Sequence, residues 1–295
     1  MTPDLTGKTV LVTGGNTGIG KEAGVGLASM GAHLVFTSRD PQRGEAARRE
    51  IAERSGNDAV DVMGVDLADL SSIGTFARAF LDRYERLDVL VANAGGTWSQ
   101  RRTTADGFEM TFGVNHLGHF ELVRLLLDRL KESAPSRIVV TASGAHRGAR
   151  RGIRWDDLDR TARRYRGMRV YNESKLANIL FTRELARRLE GTGVTANCFH
   201  PGFVATEFGH GGDTRLLAVG TRLGRPFARN ATKGADTAVW LASAPELDGV
   251  TGGYFFDRKL GRLSKWGRDD EAARRLWDLS ERLLDEAKGA QRETA

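Results

Sequence analysis

The chain has one cysteine, few prolines and no long hydrophobic run, and each shortage closes off a class of protein. Cys198 has no partner for an internal disulfide, so a disulfide-stapled scaffold is excluded. Charge or glycine breaks every apolar stretch short of the roughly 18 residues that a membrane-spanning helix needs, and none is predicted. The first residues, Met1-Thr2-Pro3-Asp4-Leu5-Thr6, lack the basic-then-apolar order of a signal peptide, so the expected location is a reducing cytoplasm. The six prolines are scattered, and no internal repeat or low-complexity linker divides the chain. Residues 1–295 therefore read as one domain, long enough to bury a large core. The net charge of +6 is modest and reads as a surface property, not as a nucleic-acid site.

Seven short apolar runs recur along the chain, at 8–13, 33–37, 59–65, 87–92, 137–142, 193–199 and 253–256. Amphipathic helical patterns lie between them, at 18–30, 41–55, 70–85, 105–131, 171–190 and 232–243. Such alternation predicts an α/β fold with a doubly wound parallel seven-stranded sheet of Rossmann type, helices covering both faces. A last helix is expected over 269–288, docking through Leu276, Trp277, Leu279 and Leu283, with 289–295 a disordered tail. Residues 203–230 show no period but carry Phe203, Phe208, Leu216, Leu217 and Phe227. They suggest a lid over an apolar pocket, although core or interface packing would use the same residues.

The stretch Thr13-Gly14-Gly15-Asn16-Thr17-Gly18-Ile19-Gly20 follows the first apolar run and opens the first helical pattern. Glycines there let the backbone approach a pyrophosphate, which the N–H groups of the helix N-terminus can bind. A tight turn would account for one or two of them. At the end of the second strand, NAD sites carry an acid and NADP sites a cation for the 2′-phosphate. Here stand Ser38, Arg39 and Asp40. Arg39 favours NADP(H), with NAD(H) possible if Arg39 merely pairs with Asp40 or Glu45.

Tyr171 and Lys175 lie at i, i+4 on one helix face. A phenol with a pKa of about 10 is a poor acid-base catalyst at neutral pH. A nearby ammonium is expected to bring it down toward the working range, although the pair alone could be an exposed Tyr and Lys.

Taken together, the chain resembles the short-chain dehydrogenase/reductase family, and within it the retinol dehydrogenase-like branch. The family order is matched by Thr13 to Gly20, Asn93-Ala94-Gly95, Ser143 and Tyr171 to Lys175. The branch is suggested by the segments 105–120, 174–189 and 200–206. The resemblance implies hydride transfer between nicotinamide and a carbonyl or alcohol, and the expected substrate is a small apolar molecule. Against it stands a non-catalytic dinucleotide sensor on the same fold, which intact Ser143, Tyr171 and Lys175 disfavour. No metal is implied, and His116 and His119 lack a third ligand.

The resemblance also assigns roles. Tyr171 exchanges a proton with the substrate oxygen, Ser143 hydrogen-bonds that oxygen, and Lys175 lowers the Tyr171 pKa and binds the nicotinamide ribose. Asn115 supports a water and proton relay behind Lys175, its competing reading being a helix-kink or packing asparagine. Cofactor contacts are implied for Gly14, Asn16, Thr17, Gly18, Ile19, Gly20, Arg39, Asp66, Leu67, Asn93, Ala94 and Gly95, and for Pro201, Gly202, Val204 and Thr206. Asn93 could instead tie two strands together, and Asp66 could cap a helix. Relatives associate as homodimers or homotetramers. The segment between Ser143 and Tyr171 is longer than usual for the wider family, and its 147–169 portion is rich in arginine. A solvated loop is the favoured reading, and an anionic substrate or membrane surface the sharper one.

Overall fold

All seven apolar runs become strands, because each is short, β-branched and flanked by turn residues. In the computed structural model, which describes residues 3–204 and 229–294, they are β1 Thr9–Val12, β2 His33–Ser38, β3 Val60–Gly64, β4 Val89–Ala92, β5 Ser136–Thr141, β6 Val194–Phe199 and β7 Tyr254–Phe256. The sheet order is β3-β2-β1-β4-β5-β6-β7, all parallel. An eighth strand, β8 Lys259–Leu260, adds antiparallel to β7 at the edge. The sequence reading of seven missed it because β8 is two exposed residues with no apolar period to detect.

The helices are α1 Gly18–Ala28, α2 Pro41–Ser55, α3 Leu70–Arg83, α4 Gly118–Glu132, α5 Gly167–Arg188, α6 Ala231–Ser243 and α7 Asp270–Thr294. Side chains alternate across each strand, so one strand feeds two cores. Leu11, Val35 and Leu90 face the layer of α3, α4 and α5. Val10, Val12, Leu34 and Phe36 face that of α1, α2 and α6. At about 25 cal/mol per Å² of buried apolar surface, these two layers are the main source of stability.

The sheet order reverses between β1 and β4, and the carboxyl ends of those strands flank a crevice where ligands of such sheets bind. α7 starts with Asp270 and Glu271, which complement the helix dipole. It buries Leu276 and Leu284, and Trp277 packs edge-on against Phe120 at 4.7 Å. α7 continues beyond Lys288, where the sequence reading ended it. The proposed lid at 203–230 falls mostly on 205–228, outside the described residues. Among the described residues, no helix is long and apolar enough to cross a membrane.

Candidate active site

The loop after β1 is shaped by two of its glycines. Gly14 sits at φ +65°, a left-handed conformation that side chains disfavour, and a Cβ on Gly20 would collide with the Gly14 carbonyl. Thr17 precedes α1 without a side-chain capping bond, so the N–H groups of the first turn remain available to an anion. They border a cleft of about 310 Å³. Gly14, Asn16, Thr17, Gly18, Ile19, Gly20, Arg39, Asp66, Leu67, Asn93, Ala94, Gly95, Tyr171, Lys175 and Pro201 all line it.

Thr37, Arg43, Trp98, Val114 and Thr141 also line the cleft, and sequence reading did not single them out. Arg43 lies in the first turn of α2, three residues after its Asp40 cap. Trp98 had no local signal, because only the chain path after β4 brings it to the wall. Gly202 and Val204 lie off the wall; Val204 bridges to Arg229. Thr206 lies outside the described residues.

Ser38 ends β2, and the Asp40 carboxylate caps α2 by accepting from the Arg43 N–H at 3.0 Å. Glu45 is taken by Arg48 and Arg49. Among the described residues Arg39 therefore makes no ion pair, and it stands exposed at the end of the cleft. Asp66 does not cap α3, whose cap is Asp69; its carboxylate accepts from the Ala68 N–H at 3.0 Å. Asn93 ties two strands, its Nδ2 donating to the Thr13 carbonyl at 3.0 Å, while it also lines the cleft.

Ser143 follows β5 and accepts from the Ala145 N–H at 3.1 Å, which leaves its hydroxyl proton free to donate. That hydroxyl lies near enough to the Tyr171 phenol to favour its ionised form. Lys175 is buried and donates from Nζ to the Thr141 carbonyl at 3.0 Å, 5.7 Å from the centre of the Tyr171 ring. Burial pushes Tyr171 up to about 12, against a smaller lowering by the nearby Ser143 side chain. This corrects the expectation that Lys175 brings the phenol down. Desolvation dominates here, and it lowers Lys175 itself to about 8.

Asn115 lies in the π-turn Gly113–Leu117 that leads into α4, a wide turn that places its side chain between the β4 loop and α5. There Nδ2 donates to Ser174 Oγ at 3.0 Å. His119 contacts Thr13 Oγ1 at 2.9 Å and His116 contacts Ser280 Oγ at 2.8 Å, so the two rings serve different neighbours. Burial lowers them to about 4 and about 3. Cys198 is buried and its thiol is pushed up to about 12 by desolvation.

The arginine-rich insert is not a wholly solvated loop, although Arg147, Arg150, Arg151, Arg163, Arg164 and Arg166 are exposed. Arg154, Arg160 and Arg169 turn onto Glu173 of α5, and Arg147 donates to the Arg262 carbonyl at 3.0 Å.

The profile of the short chain dehydrogenase family matches residues 8–154 and 160–214. Human retinol dehydrogenase 13 is 45% identical over 284 residues, covering 95% of this chain and 85% of the relative. A crystal structure of a protein from Mycobacterium paratuberculosis, described as uncharacterized, is similar with a TM-score of 0.76 and 34% identity, covering 96% of each chain. The RhlG/NADP active-site complex of Pseudomonas aeruginosa has a TM-score of 0.69 and 25% identity, covering 86% of this chain and 97% of that one.

Proposed function

This chain belongs to the short-chain dehydrogenase family and is an oxidoreductase of CH–OH groups with NAD(P) as acceptor, and from that premise we propose a preference for NADP(H) and for an apolar aldehyde or ketone and its alcohol. One observation carries the cofactor reading: Arg39 stands unpaired among the described residues at the end of β2, while Asp40 is committed to capping α2. A ribose-reading acid is thereby withdrawn and a phosphate-reading cation offered. The NADP bound in the Pseudomonas complex is consistent with this choice.

The cradle fits a dinucleotide. The left-handed Gly14 and the uncapped first turn of α1 would hold the pyrophosphate, and Lys175 the nicotinamide ribose. When bound, the cofactor supplies or takes the hydride. The chain itself handles the proton. With its pKa raised to about 12, Tyr171 stays a phenol at neutral pH and can donate to the carbonyl oxygen as charge develops there. The Ser143 hydroxyl lies near that phenol and can donate to the same oxygen, a fixed dipole that needs no reorientation. Trp98 and Val114 give the cleft apolar wall. The retinol dehydrogenase names of the relatives suggest retinaldehyde as the first substrate to try.

Fluorescence titration should show tighter binding of NADPH than of NADH, with Arg39→Asp reversing the order. Equal affinities in the parent chain would sink the cofactor reading. Loss of NADPH absorbance with all-trans-retinaldehyde, compared with short polar aldehydes, tests the substrate class.

A further inference from the structure

Three arginines converge on one buried carboxylate of α5, Arg154 and Arg160 from the preceding segment and Arg169 from one turn earlier in the same helix. Glu173 is 2% exposed; its Oε2 accepts from Arg160 Nη2 at 2.6 Å and from the Arg154 N–H at 3.2 Å. Its Oε1 accepts from Arg154 Nε at 3.3 Å and pairs with Arg169 Nε at 3.4 Å. Arg160 is equally buried and sits at φ +58°, a left-handed conformation for a residue with a side chain. Among the described residues its Nε and Nη1 have no hydrogen-bond partner. Backbone strain and a half-satisfied buried cation both cost stability, and such features persist where the surroundings over-determine them.

The direction of the contact gives it a use. At about 100° per residue, Glu173 leaves α5 on the side opposite Tyr171 and Lys175. The front of the helix is held by the Thr141 carbonyl, which accepts from Lys175 and from Asn178. Its flank is held by Asn115 at Ser174. At Glu173 the insert holds the back through Arg154 and Arg160, and farther along the helix Phe181 stacks on Trp277 of α7. A roll of α5 that moved the phenol away from Ser143 would have to pull Glu173 out of its arginine cluster.

We propose that Glu173 is a positioning residue: locked by Arg160 and its neighbours in the 147–169 insert, it sets the rotation of α5 and so the placement of Tyr171 and Lys175. This rests on reading Tyr171 and Lys175 as the working pair. It gives Arg154 and Arg160 of the insert an internal task.

Removing Glu173 alone strands a buried cation and risks unfolding, so the decisive variant is the double change Arg160→Met with Glu173→Leu, which keeps volume and removes both charges. In the full chain we expect NADPH affinity within about threefold of the parent and kcat on retinaldehyde at least about tenfold lower, with little change in KM. Amide exchange over 167–175 should quicken. Glu173→Gln, which keeps one acceptor oxygen, should recover part of kcat. A double variant with kcat within about twofold of the parent and unchanged exchange over 167–175 would overturn the proposal. A parent chain without turnover on any carbonyl would sink the catalytic reading instead, and the exchange measurement would still decide the lock.

Discussion

The Asn115 carboxamide grips both backbone groups of Gly96: its Oδ1 accepts from the Gly96 N–H at 2.8 Å, and its Nδ2 donates to the Gly96 carbonyl at 2.9 Å. Together with the bond to Ser174 Oγ, this ties the loop after β4 to α5 through one fully buried side chain. The loop carries Trp98 and the helix carries Tyr171, so the two walls of the cleft are fixed to each other.

Truncating that side chain orphans a buried donor and a buried acceptor. Asn115→Ala should lower stability by about 2–4 kcal/mol, read as a fall in the urea midpoint with unchanged m. A loss under about 1 kcal/mol would mean that water replaces the amide at Gly96.

Tyr171→Phe should leave NADPH affinity intact and remove turnover, because the ring still packs while the proton is gone. In the parent chain, carbonyl reduction should not decline through ionisation of the phenol until pH approaches about 12. A fall in kcat/KM above about pH 8 is instead expected from Lys175 losing its charge. A pH profile flat through pH 10 in the parent would contradict the assignment to Lys175.

Lys175 trades stability for its function. Its folded pKa lies below the ordinary 10.5, at about 8, so the unfolded chain holds that proton more tightly. The destabilisation is complete below pH 8 and fades as pH rises from 8 toward 10.5, amounting to about 3 kcal/mol. Lys175→Met should therefore raise the unfolding midpoint at pH 7 while abolishing turnover. The Thr141 carbonyl would keep its bond from Asn178 Nδ2 at 3.1 Å, so no buried acceptor is stranded. A lowered midpoint would show that the ammonium stabilises the fold.

What could be read from the sequence was what local pattern encodes. Val10-Leu11-Val12 and its fellow runs announced buried parallel strands, the spacing of Gly14, Gly18 and Gly20 announced a strand-to-helix turn, and Tyr171 and Lys175 had to share a face at i, i+4. The two-residue β8 carried too little pattern to be seen. Tertiary contact decided the rest. Whether Asp40 reads a ribose or caps α2 depends on where its neighbours fold, and the direction of the Tyr171 shift depends on burial that spacing does not describe. The arginines of the insert look like a surface charge run until Glu173, contributed by another element, draws Arg154 and Arg160 inward. Spacing along a chain fixes which side chains share a face, whereas charge and proton affinity are set by partners and solvent that only the folded chain brings together.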